Sequence, residues 1–157
     1  FWIGFDGKPK EVTRGTRFDL GEGVMLDVLW PASGLGDVKD HDAMLVTRLR
    51  YGSTTVLLTG DMEKNIERYL ISLEGKNLQS DVLKVGHHGS KTSSSEVLLG
   101  YVNPALAVIS VGAKNRYGHP HRDVLDRLAR FQIPVIRTDE SGTIILQSDG
   151  KTITAYR

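Results

Sequence analysis

The chain opens with short alternating segments. Residues 16–31 read as two brief strands, the second spanning 23–30, with Gly21 and Gly23 marking the turn and Pro31 closing the run. A Gly-, Ser- and Asp-rich loop over 32–42 precedes a strand at 44–49, the hairpin turn Tyr51-Gly52-Ser53-Thr54 and a return strand at 55–59. The period then changes. Met62, Ile66, Tyr69, Leu70 and Leu73 fall at helical spacing, which predicts a helix over 62–73 stopped by Gly75. A strand at 81–85 runs into Gly86-His87-His88-Gly89-Ser90, and the short helix predicted at 94–102 breaks at Asn103-Pro104. After a strand at 105–111 and a polar loop to His121, the helix expected over 122–131 has Val124, Leu125, Leu128 and Phe131 as its buried stripe. On its exposed face Asp123 and Arg127, and Asp126 and Arg130, stand four apart as expected ion pairs. A strand at 134–138 and a hairpin of 143–147 with 152–156 across Asp149-Gly150 complete the chain.

A strand-rich first half followed by alternating helices and strands argues for an α/β fold with sheets covered by helices. With 157 residues, 39% of them hydrophobic, one core is the expectation, so residues 1–157 read as a single domain or a large piece of one. The first residue is Phe1 rather than Met, which leads us to expect a segment of a longer protein. A net charge of +1 supplies no global attraction to DNA or membrane. Cysteine is absent, which removes disulfide partners, thiolate ligands and a cysteine nucleophile and leaves His, carboxylate or water for any metal. No apolar run is long enough to span a bilayer.

The candidate chemistry lies in loops after probable strands, where side chains of an α/β sheet converge on a crevice. Asp61, directly after an apolar strand, can be the N-cap of the 62–73 helix, a metal or catalytic carboxylate, or both. His87 and His88, adjacent between glycines, either decorate a surface loop or turn at least one imidazole into a site, where imidazole serves as zinc ligand or general base. In Asn115-Arg116-Tyr117-Gly118-His119-Pro120-His121, His121 can cap the next helix and the loop can contact a phosphate. From Val82 to Arg122 the cations Lys84, Lys91, Lys114, Arg116 and Arg122 face one acid, Glu96, a basic stretch that suits a phosphodiester unless these are scattered solvated side chains. His41 reads as a surface residue with no role.

Taken in order, Leu57-Leu58-Thr59-Gly60-Asp61, the segment from Asp81 through His87-His88 to Ser93, the Asn115 to His121 loop, Arg137-Thr138-Asp139 and Gly142-Thr143 resemble the C-terminal metallo-β-lactamase-like domain of ComEC competence proteins. The resemblance implies part of an αββα sandwich with mixed sheets, outer helices and metals at one sheet edge. It implies Asp61 as a metal-bridging carboxylate, His87 as a metal ligand with His88 the less favoured choice, and His119 beside the scissile phosphate. Lys91, Asn115, Arg116 and Tyr117 join His119 as expected substrate contacts. Zinc or manganese is the implied cofactor, in a two-metal site. The upstream His-x-His-x-Asp-His string of such domains does not occur in this chain, and the sequence has His41-Asp42-Ala43-Met44 where the family shows an Asn and a Ser.

The leading expectation is therefore part of a phosphodiesterase or nuclease domain acting on DNA during uptake, inactive as an isolated piece. By resemblance, the parent is a bacterial inner-membrane protein with a membrane channel domain, and this portion lies outside the cytoplasm. The alternatives are a hydrolase of another phosphoester, such as choline phosphate on a cell-wall polymer, and a metal-free module that holds DNA. Sheet edges lacking their neighbours are expected to drive self-association of the piece.

Overall fold

In the computed structural model the described residues are 2–5, 8–32 and 44–157, with side chains described from Val12 onward. The loop predicted at 32–42, with His41 and Asp42, lies almost wholly outside them.

The fold is α/β. A seven-stranded sheet runs in sequence order through β3 (Arg17–Asp19), β4 (Val24–Trp30), β5 (Val46–Tyr51), β6 (Thr54–Leu58), β7 (Val82–Lys84), β8 (Leu106–Ile109) and β9 (Val135–Arg137). It is mixed: β3 to β6 pair antiparallel through short turns, whereas β6 to β9 pair parallel. The parallel strands are joined by crossovers through α1 (Lys64–Glu74), α2 (Glu96–Val102) and α3 (Arg122–Arg130). Two small antiparallel pairs flank the sheet, β1 (Trp2–Phe5) with β2 (Lys8–Glu11) and β10 (Ile145–Ser148) with β11 (Ile153–Tyr156). The short helix α4 (Thr138–Ser141) follows β9 directly.

This strand order has a consequence for layering. Because successive parallel strands add on the same side and each crossover is right-handed, all three helices fall on one face of the sheet. That face carries the core: Leu57, Leu83, Ala107 and Ile109 from the strands pack with Leu70, Leu98, Leu99, Val102, Val124 and Leu128 from the helices. Alternation along β8 is clean, with Ala107 and Ile109 buried and Leu106 and Val108 half-buried on the opposite face. Val56 and Leu58 of β6 are half-buried on that opposite face too. It is covered over β4 to β6 by the β10–β11 hairpin, which is tied down where Ser53 N donates to Gly150 O at 2.7 Å. Between hairpin and sheet lies an apolar groove of about 340 Å³ lined by Val24, Leu49, Val56, Leu58, Leu146 and Ile153.

Helix α3 departs from the pattern expected of it. Val124 and Leu128 are fully buried, but Phe131 is 39% exposed just past the helix end. Arg127 does not pair with Asp123 on the outer face. It is buried and donates from Nη1 to Ser93 O at 3.0 Å and Ser94 O at 2.6 Å. Arg130 reaches across to Glu96 at 2.5 Å, and Asp126 is left to Arg122 at 3.7 Å. Four hydrophobics at helical spacing do not reveal that a cation on the same helix has carbonyls to satisfy inside.

The half-covered apolar face generates a prediction. Light scattering on the isolated chain is expected to show dimers or larger species that grow with concentration, driven by burial of this face. A monodisperse monomer would mean that the hairpin covers enough of it.

Candidate active site

The four parallel strands point their carboxyl ends the same way, and the loops leaving β6, β7 and β8 meet there. Backbone bonds stitch these loops together. His87 N donates to Gly60 O at 3.0 Å, joining the loop after β7 to the one after β6, and His121 N donates to Gly89 O at 2.8 Å, joining it to the one after β8. Thr59, fully buried, donates its hydroxyl to Lys84 O at 2.6 Å beneath both. The contacts leave no room for side chains at the two glycines. A Cβ on Gly86 would sit 2.9 Å from Met62 O, and one on Gly89 would sit 2.6 Å from the Pro120 Cβ.

Within that frame the turn Gly86–Gly89 holds both histidines in left-handed backbone, His87 at φ 48 and His88 at φ 54. Such conformations cost an L-residue on the order of 1–3 kcal/mol and persist only when the surroundings over-determine them. Here they turn the two rings to different partners. His88 Nδ1 lies 2.6 Å from Ser110 O, and since a carbonyl only accepts, Nδ1 carries the proton in that bond. Its Nε2 faces Asp61, 3.8 Å from Oδ1. His87 turns its Nδ1 toward Glu63 Oε1 at 3.4 Å, and its ring lies 5.9 Å from that of His119. His88 is thus the ring at Asp61, and His87 sits between Glu63 and His119.

Asp61 is not the N-cap of α1. The cap position belongs to Glu63, whose side chain makes no capping bond and instead accepts from the Thr92 hydroxyl at 2.9 Å. Met62 explains the shift: it is fully buried, and its N–H donates to Thr59 O at 3.1 Å, so the chain turns inward before the helix begins. The Asp61 carboxylate is left outside, free of capping duty. Lys84, one of the cations of the basic stretch read as suiting a phosphodiester, is half-buried at the end of β7, where burial lowers its pKa from the ordinary 10.5 and the nearby Asp61 charge opposes that shift.

The loop after β8 is built around Asn115. Its Oδ1 accepts from Tyr117 N at 3.2 Å and His119 N at 2.9 Å, while its Nδ2 donates to Gly112 O at 3.0 Å and His119 O at 2.7 Å. All four amide positions are committed inside the loop, so Asn115 shapes it and has none left for a substrate. His119 Nδ1 is buried without a partner, and burial followed by the neighbouring histidines pushes its pKa below the ordinary 6.5. The ring is neutral at pH 7. Tyr117 stacks on it with centroids 5.9 Å apart and planes 21° from parallel. His121 caps α3, its Nδ1 accepting from Asp123 N at 3.3 Å. Arg116 is exposed on the same loop, and Lys91 is exposed beside Glu63 and Thr92.

Asp61 and His88 bring a carboxylate oxygen and a ring nitrogen to a common point, and the carbonyl partner on the far nitrogen of His88 is the arrangement that orients metal-binding imidazoles. The fit is partial. A catalytic zinc takes three protein ligands, and no cluster of three His, Asp or Glu suited to a metal occurs among the described residues. The pair amounts to at most two ligands and forms no closed centre.

No protein-family model matches the chain. Among curated proteins, it is 40% identical to ComE operon protein 3 of Bacillus subtilis over 135 residues, 86% of this chain and 17% of that protein. It is 41% identical to competence protein ComA of Neisseria gonorrhoeae over 123 residues, 78% of this chain and 18% of that one. By sequence, the chain belongs with the ComEC-type competence proteins. Recombination protein 2 of Haemophilus influenzae is 47% identical over 105 residues, 67% of this chain and 13% of that protein. The chain thus spans less than a fifth of the length of these ComEC-type relatives. No helix among the described residues is long and apolar enough to cross a membrane.

Sequence reasoning missed the clamp beneath the histidine turn. Glu67 of α1 is fully buried and accepts from Ser94 N and, at 2.9 Å, from Ser95 N, while Arg127 of α3 holds the carbonyls of Ser93 and Ser94. Ser93 in turn donates its hydroxyl to Gly86 O at 2.8 Å. The available signal was a charged residue at a core-facing position of each helix.

Two predictions follow from this clamp. Arg127→Ala leaves two buried carbonyls without donors and is expected to cost about 2 kcal/mol in urea unfolding, whereas an exposed pair with Asp123 would be worth only about 0.3–0.5 kcal/mol. For Glu67, burial raises the carboxyl pKa above the ordinary 4.5 against hydrogen bonds from Ser95 and Ser94. The folded state therefore keeps a proton that the unfolded state has lost, and this contribution is complete below pH 4.5 and lost as pH rises through the folded value. Relative to Glu67→Gln, the unaltered chain is expected to lose stability as pH rises across that window. A constant difference would show that Glu67 ionises in the fold as it does unfolded.

Proposed function

We propose that this chain is part of a metal-dependent phosphodiesterase or nuclease domain, a portion of a metallo-β-lactamase-like αββα sandwich, that acts on DNA during competence-linked uptake. The observation that carries this reading is the pairing of two potential metal-ligating atoms, Asp61 Oδ1 and His88 Nε2, 3.8 Å apart at the carboxyl end of the parallel strands. The names of the relatives concern competence and recombination, which favours DNA over other phosphoesters. In the parent we envisage a bacterial inner-membrane protein whose membrane channel domain is this portion's partner, with this portion on the extracytoplasmic side.

Asp61 and His88 would hold one side of a zinc or manganese ion, with further ligands from outside the described residues. When bound, such an ion supplies a water of lowered pKa and a charge opposite the phosphoryl oxygens. The chain's own residues contribute the rest. His119, neutral at pH 7, offers an N–H to a phosphate oxygen without the cost of burying a second cation, and Arg116 and Lys91 add positive charge at the rim. His87, between Glu63 and His119, keeps the His119 ring in place.

A second reading, a metal-free DNA-binding module, is favoured by the two-ligand count. The two diverge in one experiment. Manganese- or zinc-dependent cleavage of single-stranded DNA by the full parent domain is expected to fall roughly 100-fold in Asp61→Ala. Cleavage undiminished by the substitution would remove Asp61 from the chemistry. DNA binding unaffected by chelator, with no cleavage by the unaltered domain, would select the module.

A further inference from the structure

Among the described residues no aromatic side chain is as exposed as Tyr117, at 73%. An exposed phenol on a floppy loop would mean nothing, but this one is fixed on both sides. The Asn115 amide holds its backbone N–H and, through His119 N and O, the far end of the loop. The ring itself lies nearly parallel to His119, which leads on to His87 at 5.9 Å. The contact with His119 is an offset one, and most of the phenol, 73% exposed, stays open. Neither the core nor the loop's hydrogen bonding uses that open surface.

We propose that Tyr117 is a stacking platform for a nucleobase next to the phosphate held at His119, so that the site takes single-stranded DNA. This rests on the reading of DNA as the substrate and adds how the strand is recognised. A flat aromatic face binds any unpaired base by stacking, whatever its sequence, while bases in a duplex present their faces to one another and not to protein. Arg116, next to Tyr117 and exposed, supplies the positive charge that such platforms pair with the strand's phosphates. The row Tyr117, His119, His87 then sets a base at the outer end and a phosphate at the inner.

The test is binding of two labelled oligonucleotides to the chain in chelator, by fluorescence anisotropy: oligo-dT, and an abasic strand with the same number of phosphates. Comparing the two on one preparation cancels any effect of self-association. The chain is expected to prefer oligo-dT, Tyr117→Ala to lower oligo-dT affinity roughly tenfold toward the abasic value, and Tyr117→Trp to restore it. Equal weakening of both strands by Tyr117→Ala, or no change in either, overturns the stacking platform while leaving DNA binding in place. Failure of the unaltered chain to bind either strand overturns both the platform and the DNA reading on which it rests.

Discussion

Two consecutive histidines in left-handed backbone set the terms for this molecule. Each costs on the order of 1–3 kcal/mol, and neither has the excuse of glycine. The turn survives because its neighbours fix it from every side: Gly60 O receives the His87 N–H, Ser110 O receives the His88 ring, and Gly89 fits under Pro120. The strain performs geometry. Adjacent residues in an extended segment would send their rings to opposite faces, whereas this turn sends His88 to Asp61 and His87 to His119, two neighbours on two different loops.

The support continues into the helix layer. Glu67 and Arg127 come from different helices, are both buried, and both hold the 93–95 segment by its backbone, one by its N–H groups and the other by its carbonyls. Between them they hold three consecutive residues and meet only at Ser94. Ser93 then passes the constraint to Gly86 O. A buried carboxyl and a buried guanidinium are costly when unpaired, and hydrogen bonds to backbone groups are what make them tolerable here. The site loop is consequently held largely by its main chain, with Ser93 and the His88 ring adding side-chain bonds.

Much of the fold was legible because it rests on period. The change from alternation to helical spacing after Asp61, Gly75 as a stop and the recurring strands all appear where the pattern puts them, and the sheet is the mixed α/β one expected. What was not legible depended on partners distant in sequence. Periodicity made Arg127 a surface residue and Phe131 a core one, and the fold reverses both: the Ser93 and Ser94 carbonyls draw Arg127 inward, and Phe131 falls at the C-cap, past the last helical turn. Asp61 as a cap followed from its place before a helical run, but a fully buried Met62 delays the helix by two residues. At the site, the loops could be located from strand ends and glycines. Which histidine faces Asp61 could not, since that is decided by two φ angles and a carbonyl on a third loop.

The two incomplete features of the structure share an edge. Helices cover one face of the sheet because the strand order allows nothing else, and the opposite face keeps Leu58, Leu106 and Val108 half-exposed. Leu58 and Lys84 are register partners on that open face, at the ends of β6 and β7, immediately below Asp61 and the histidine turn. Any layer that packed on the open face would therefore end at the rim that carries Asp61 and His88. The core belongs to the helix side, and the loops that bring Asp61 and the histidines together stand at the edge of the side the helices do not cover.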